Sequence, residues 1–383
     1  MVVNAELAVG RKERESKREG IQTGVYVPAN IITNAMLVDF FEQRVPKIRK
    51  EGNRPYDPEG IEKITGIESR HWVNNLGEAP DNRAGVLSYM ASKAASGAIR
   101  RAEWRQVDVL LTSTTFPYRE SLGLNVAQSL ELNFTHPVKV DKVYADIYAA
   151  CSGSAWAFHY IGEHRDEFLQ KRVLVVSSEY ISSTLDNQHQ TLFSDGAGAV
   201  AFTYGEDLEV LASSARTFPG TEGYIRFDIR EENLPSEGAL VFVPTGKPDP
   251  EKQSYNAEPS MGMRNGDLDG RKVYAFALYK VPPMIAETIE ESGINPSEIS
   301  LVILHQANGR IVDAFARERL PRIGINANVF SNVKHHGNTS SASLLIALHE
   351  AKAQGLIKSG TKAVLAGFGA GMAVAVAVVE FKK

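Results

Sequence analysis

The chain has 383 residues, more than one hydrophobic core usually organises, and its 43% hydrophobic and 23% charged residues are ordinary for a soluble globular protein. A net charge of -4 provides no global field for nucleic acid or an anionic membrane, and the longest apolar stretches, such as 372–379, are too short to span a bilayer. The single cysteine excludes a disulfide framework and makes the cytosol the expected compartment.

In chain order, residues 1–20 read as a solvated arm, because the run from Arg11 to Arg18 carries charge without an apolar face. It also lacks the apolar core of a secretory leader. Order is expected from Gly20, where IQTGVYVPANIITN reads as strand, turn and helix start. Strands are then expected at 107–113, 172–179, 198–204, 300–305 and 362–368. Helices are expected at 84–102, 152–169, 281–292, 308–320 and 340–354. This alternation predicts an α/β fold with buried sheets.

The order strand, small-residue turn, helix, strand and Gly/Ala-rich strand occurs twice, its pieces offset by about 190 residues. VLLTSTT, ACSGSAWAFHYI and RVLVVSSEY have counterparts in VILHQAN, GNTSSASLLIAL and KAVLAGFGAG. The expected organisation is an arm (1–20), an N-terminal half (21–204) and a C-terminal half (205–383), with the two sheets packed together. Residues 216–272 interrupt the second half with turn-rich segments such as ENLPSEG and PTGKPDPEKQ. An elaborated loop or lid is expected there, with a plain surface insertion as the alternative.

A lone intracellular cysteine is more often a small buried hydrophobe than a nucleophile. Around Cys151, however, the sequence YADIYAACSGSAWAFHY ends an apolar run and begins a helix with small residues. A thiol at a helix N-terminus feels unpaired N–H groups and the positive dipole end, which favour thiolate. HQAN places His305 at the end of an apolar strand, where α/β proteins gather functional groups. HHGNTSSAS places Asn338 in the turn that the internal repeat makes equivalent to that of Cys151. Pseudo-symmetry would bring both turns to one cleft. His335 and His336 have no ligands at metal-site spacing, so no metal is expected. GFGAG leads into a β-type run rather than a helix, so no dinucleotide site is expected either.

Together, ACSG, FSDGAGAVAF, HQAN, HGNTSSAS and GFGAG resemble the signatures of β-ketoacyl-acyl-carrier-protein synthase III and its relatives. ITGIESRHW, VYVPANIITNAML and DGRKVYAFAL extend the resemblance over roughly residues 20–383. It implies a five-layered αβαβα thiolase fold, a homodimer, and acyl-coenzyme A or acyl-carrier-protein thioesters as substrates without a further cofactor. It also implies that Cys151 accepts the acyl group and that His305 and Asn338 stabilise the enolate of the second thioester. The backbone N–H groups of Cys151 and Ala370 would form the oxyanion hole.

Two departures from the family pattern qualify its substrates. Priming synthases carry, before TGI, a tryptophan that stacks on the coenzyme A adenine and an arginine four residues later; here Gly60 and Ile64 stand there. Arg310 matches a family arginine implicated in carrier-protein docking, with Arg317, Arg319 and Arg322 following; a solvated helix face is the plainer reading. Glu120 sits where olefin-forming relatives carry a glutamate, which would allow α-proton removal from a β-ketoacyl donor. A surface glutamate paired with Arg119 is the alternative. The expected function is a ketosynthase condensing an acyl group on Cys151 with a malonyl or β-ketoacyl thioester, in secondary metabolism of the resorcinol or stilbene type. A starter-unit acyltransferase and a non-catalytic acyl-binding subunit are the competing readings. A degradative thiolase is excluded, because its second cysteine is missing.

Overall fold

The computed structural model describes residues 20–44, 57–75, 82–115, 120–132, 137–182, 189–218, 240–242 and 270–383. Fifteen strands, numbered in chain order, are found among these residues. One sheet has the order β1-β9-β8-β5-β7-β11. Its strands are β1 (Gln22–Tyr26), β5 (Val109–Ser113), β7 (Val143–Tyr148), β8 (Arg172–Glu179), β9 (Gly196–Thr203) and β11 (Leu240–Phe242). The second has the order β10-β15-β14-β12-β13. It comprises β10 (Leu208–Thr217), β12 (Ile299–Leu304), β13 (Asn328–Phe330), β14 (Thr361–Gly369) and β15 (Ala373–Phe381). Short ribbons pair β2 (Asn30–Thr33) with β3 (Ser69–Trp72), and β4 (Gln106–Val107) with β6 (Lys139–Val140).

The two sheets share one pattern of directions. From β1 to β7 the junctions run antiparallel, antiparallel, parallel, parallel, and from β10 to β13 they do the same. Strands such as VLLTS in β5 and AVAVAVVEF in β15 are almost wholly buried, as strands covered on both faces must be. The helices Gly153–Glu163 and Ala342–Ala353 touch each other and strands of both sheets, so they form the middle layer. Arg83–Ala102 and Leu122–Leu132 cover the outer face of the first sheet, and Gly270–Ser292 covers the second. The result is αβαβα. Phe158, fully buried in the middle layer, stacks on Phe202 with ring centroids 6.2 Å apart. Truncating such a phenylalanine to alanine typically costs about 3–5 kcal/mol.

Three expected helices differ in extent. The one expected from 281 begins at Gly270 and runs through Pro282 and Pro283. A proline pair resembles a helix start, but the burial of Phe276, Leu278 and Val281 carries the helix further back. The segment 308–320 resolves into Gly309–Ala314, a π-turn at Phe315–Arg319 and a last turn at Leu320–Arg322. The segment 152–169 divides at His164 into Gly153–Glu163 and Arg165–Phe168. The arm 1–19 and most of the expected lid lie outside the described residues. Of the described parts of that insertion, 216–217 end β10, 270–272 begin the helix Gly270–Ser292, and β11 adds in parallel to β7 at the sheet edge.

Candidate active site

Cys151 sits in the turn between β7 and the helix Gly153–Glu163, within a 3-10 segment Ala150–Ser152. Asn338 occupies the corresponding turn of the second half, and His305 directly follows β12. Ser340 ties the three together. Its hydroxyl donates to Cys151 Sγ at 3.1 Å, its backbone N–H donates to Asn338 Oδ1 at 2.8 Å, and its backbone is hydrogen-bonded to the His305 ring. Ala150 and Ser340 both hold φ at 46°, a left-handed conformation that costs an L-residue about 1 kcal/mol or more. The halves therefore repeat one strained turn and aim both copies at one point.

A close approach closes the site from the other side. A Cβ on Gly369, at the end of β14, would stand 2.7 Å from Cys151 N and 2.8 Å from Cys151 Cβ, so only glycine fits. This contact lets the next residue, Ala370, turn its backbone N–H toward the Cys151 sulfur, which the Cys151 N–H also approaches. The expected easy ionisation of the thiol is not found. Burial dominates and pushes Cys151 up to about 12, and the nearby Glu179 carboxylate adds to the rise. The Ser340 hydroxyl and the two backbone N–H groups oppose it only in part. A helix-end argument counts the favourable dipole but not the loss of water around the sulfur.

His305 is held on three sides. Its backbone N–H donates to Ala366 O at 2.7 Å, its Nδ1 lies 2.7 Å from Ser343 Oγ, and its ring meets Phe368 edge-on at 5.4 Å. Burial pushes the imidazole down to about 3, with the Ser340 backbone bond acting the other way. The ring is therefore neutral at working pH. Asn338 Nδ2 donates to Ala307 O at 3.1 Å, which fixes the amide relative to the loop after His305. Asn308, by contrast, caps the following helix, its Oδ1 accepting from Arg310 N at 2.8 Å.

The remaining candidates lie elsewhere. Arg310 is exposed and lines a cleft of about 650 Å³ with Glu62, Lys63, Gly66, Gly309 and Lys334. Gly66 and Gly309 are in backbone contact there, joining the helix Pro58–Thr65 to the helix that follows His305. Gly60 and Ile64 belong to that first helix, and Ile64 is 52% exposed. Arg317 pairs with Asp313 at 3.9 Å, and Arg319 stacks over Tyr279 at 4.7 Å. Neither joins Arg310 in the cleft. Glu120 is exposed and accepts from Asn125 Nδ2 at 3.1 Å; it borders a small pocket with Thr114 and Tyr148. Arg119, its alternative partner, lies outside the described residues.

Sequence reasoning passed over Ser340 and, behind it, Thr115 and Glu179. A signal was present in HGNTSSAS, since the internal repeat predicts that the left-handed residue beside the nucleophile has a counterpart. Among the described residues no helix is long and apolar enough to cross a membrane.

Comparison with known proteins agrees with this geometry. The models of 3-oxoacyl-[acyl-carrier-protein] synthase III and of its C-terminal region match residues 145–218 and 289–381. The β-ketoacyl-[acyl-carrier-protein] synthase III of Aquifex aeolicus is 30% identical over 363 residues, covering 92% of this chain and 96% of the relative. A crystal structure of the 3-oxoacyl-[acyl-carrier-protein] synthase III from Aquifex aeolicus superposes with a TM-score of 0.67 at 28% identity, over 94% of this chain and 99% of that one. The priming β-ketosynthase of the R1128 polyketide pathway shares the fold, with a TM-score of 0.67 at 24% identity over 97% and 99% of the two chains. Motif order, the doubled sheet and these likenesses agree: the chain belongs to the 3-oxoacyl-acyl-carrier-protein synthase III family of thiolase-fold condensing enzymes, acyltransferases that act as ketosynthases.

Proposed function

We propose that this chain accepts an acyl group on Cys151 and condenses it with a malonyl thioester, whose carboxylate leaves as carbon dioxide, releasing a β-ketoacyl product. The observation that carries the reading is the convergence of Cys151, Asn338 and His305 on Ser340, beneath the N–H groups of Cys151 and Ala370. Both half-reactions develop negative charge on an oxygen, and preorganised donors at such a point are commonly the largest contribution to catalysis. The two backbone N–H groups would hold the oxyanion of the acyl thioester. In the tautomer this role requires, the Ser343 hydroxyl would donate to Nδ1 and the neutral His305 ring, its proton on Nε2, would donate to the enolate oxygen beside the Asn338 amide.

Carrier-protein thioesters are the proposed substrates. The helix bearing Gly60 and Ile64 offers neither an adenine stack nor an arginine beside the cleft, whereas Arg310 stands on the cleft wall. Service in fatty-acid-derived secondary metabolism of the resorcinol or stilbene type, as a homodimer, is the finer proposal. It rests on these departures and on Glu120. The test is intact-protein mass after incubation with matched acyl-coenzyme A and acyl-carrier-protein donors. A Cys151-dependent adduct, preferentially from the carrier protein and discharged by malonyl-carrier protein, is expected. No adduct from any donor would turn the reading to a non-catalytic acyl-binding subunit.

A further inference from the structure

Behind the cysteine lies a buried acid to which the chemistry above gives no part. Glu179 ends β8, and its Oε1 accepts from Thr115 Oγ1 at 2.8 Å, from Thr115 N at 3.0 Å, and from Ser341 N at 3.1 Å and the Ser341 hydroxyl. Thr115 Oγ1 lies 2.6 Å from Ser340 Oγ, which lies 3.1 Å from Cys151 Sγ. A carboxylate, two hydroxyls and a thiol thus form an unbroken file across the joint between the halves. We propose that this file is a proton path through which Cys151 gives its proton to Glu179 during acyl loading and recovers it when the product leaves. The proposal rests on Cys151 being the acyl acceptor.

The polarity of the file is consistent in both states. With Glu179 ionised and the thiol protonated, the Ser340 hydroxyl turns from Cys151 to Thr115, the thiol donates to Ser340, and Thr115 donates to the carboxylate. With the proton transferred, every bond reverses and Ser340 donates to a thiolate. One proton passed across each of the three hydrogen bonds of the file separates these arrangements, and no heavy atom has to move. In loading, the thiolate attacks the acyl carbonyl, a C–S bond forms, and the donor's thiolate leaves to take a proton from solvent. After condensation the Cys151–acyl bond breaks, and the released Cys151 thiolate takes back the proton held on Glu179. Over one turnover Cys151 and Glu179 return to their starting states, and the one solvent proton taken up leaves on the donor's thiol.

The electrostatics favour this acceptor over the imidazole. Burial pushes Glu179 up to about 7, held back by the donors from Ser341 and Thr115, whereas burial pushes His305 down to about 3. The groups facing Glu179 are hydroxyls and amides of Thr114, Thr115 and Ser341, and the titratable group it affects is Cys151. General-base assistance of this kind is worth about 10²- to 10⁴-fold.

The experiment follows carbamidomethylation of Cys151 by iodoacetamide, read by intact mass between pH 5.5 and 9.5. Wild type, Thr115→Val, Thr115→Ser and Glu179→Gln are compared, with acyl-adduct formation measured in parallel. In wild type the rate should rise through about pH 7 and level off. Thr115→Val and Glu179→Gln should lower the rate at pH 7.5 at least about tenfold and abolish the plateau, leaving a rise that continues with hydroxide. Thr115→Ser, which restores a hydroxyl, should restore the plateau. A plateau retained in Thr115→Val, or lost equally in Thr115→Ser, overturns the path and leaves these residues a packing role. Should Glu179→Gln fail to fold, the two Thr115 variants decide alone. A wild-type protein that forms no acyl adduct overturns the nucleophile reading itself, an outcome distinct from adduct formation with an unaltered pH profile.

Discussion

The Ser340 hydroxyl, from the second half of the chain, donates to the sulfur of Cys151 in the first at 3.1 Å. Both turns hold a left-handed residue at φ 46°, so the contact is the point where the internal repeat folds onto itself. A hydrogen bond to a charged group contributes about 1.5–3 kcal/mol, and this one favours thiolate over thiol. Ser340→Ala should therefore slow acyl loading about tenfold to a hundredfold at pH 7.5. Rapid-quench mass spectrometry of the adduct measures it, and an unchanged loading rate would remove Ser340 from the site.

His305 should act without titrating. Burial pushes its ring down to about 3, so the condensation step should show no acid limb from this imidazole between pH 5 and 8. His305→Gln should leave the Cys151 adduct able to form but slow its discharge by malonyl thioester about a hundredfold or more. Loss of both steps to the same extent would instead mark His305 as part of the loading machinery.

The same burial makes His305 a source of acid sensitivity. The unfolded imidazole binds a proton near pH 6.5, and the folded one only near 3. Between those values the unfolded state holds more protons, so the stability that neutral His305 contributes is present above pH 6.5 and lost as pH falls toward 3. Glu179 and Asp195, raised by burial to about 7 and about 6, act in the opposite direction. Their contribution is full at low pH and lost as pH rises through those values. Thermal midpoints at pH 7.5 and pH 5 isolate the histidine: any stability advantage of wild type over His305→Gln should shrink at the lower pH. An advantage that grows there would contradict the sign.

Gly369 permits the approach of β14 to the nucleophile. A methyl at that position would overlap the Cys151 backbone, which cannot yield as a flexible side chain would. Gly369→Ala should destabilise the fold by about 1–3 kcal/mol and displace the Cys151 turn. Loading should fall by at least about tenfold, because a misplacement of about 1 Å is costly at a reacting centre. Urea unfolding and single-turnover loading test both parts, and a variant equal to wild type in each would show that the turn can relax.

Much of this arrangement was legible before the structure. The five central strands near 109, 172, 196, 299 and 361 stood out because buried strands are runs of β-branched and small residues. Cys151 and His305 stood out because each ends an apolar run, and Asn338 because it lies in the small-residue turn that the internal repeat matches to that of Cys151. The Glu179–Thr115–Ser340 file was not legible. Its members are ordinary residues in three separated segments, and their meaning arises only where the two sheets' turns meet. The rise in the Cys151 pKa was missed for the same reason. The helix end beside it is local in sequence, but the strand that removes its water lies more than 200 residues away, at Gly369.

The cleft predicts how substrate preference can be moved. The helix Pro58–Thr65 contributes Glu59, Glu62 and Lys63 to the cleft wall, and Ile64 beside them is exposed. Gly60→Trp with Ile64→Arg would restore an aromatic platform and a cation at the two positions the family uses for coenzyme A. Stacking of a base on an aromatic ring is worth about 1–3 kcal/mol, so kcat/KM for acyl-coenzyme A should rise about tenfold or more. The value for the matched acyl-carrier protein should stay within about twofold, since Arg310 is untouched. Arg310→Glu should do the reverse, raising KM for the carrier-protein donor and flattening its dependence on salt while sparing a short pantetheine thioester. If the double variant gains nothing for coenzyme A, the cleft between Gly66 and Gly309 is not the thioester entrance, and the carrier protein must approach from another face.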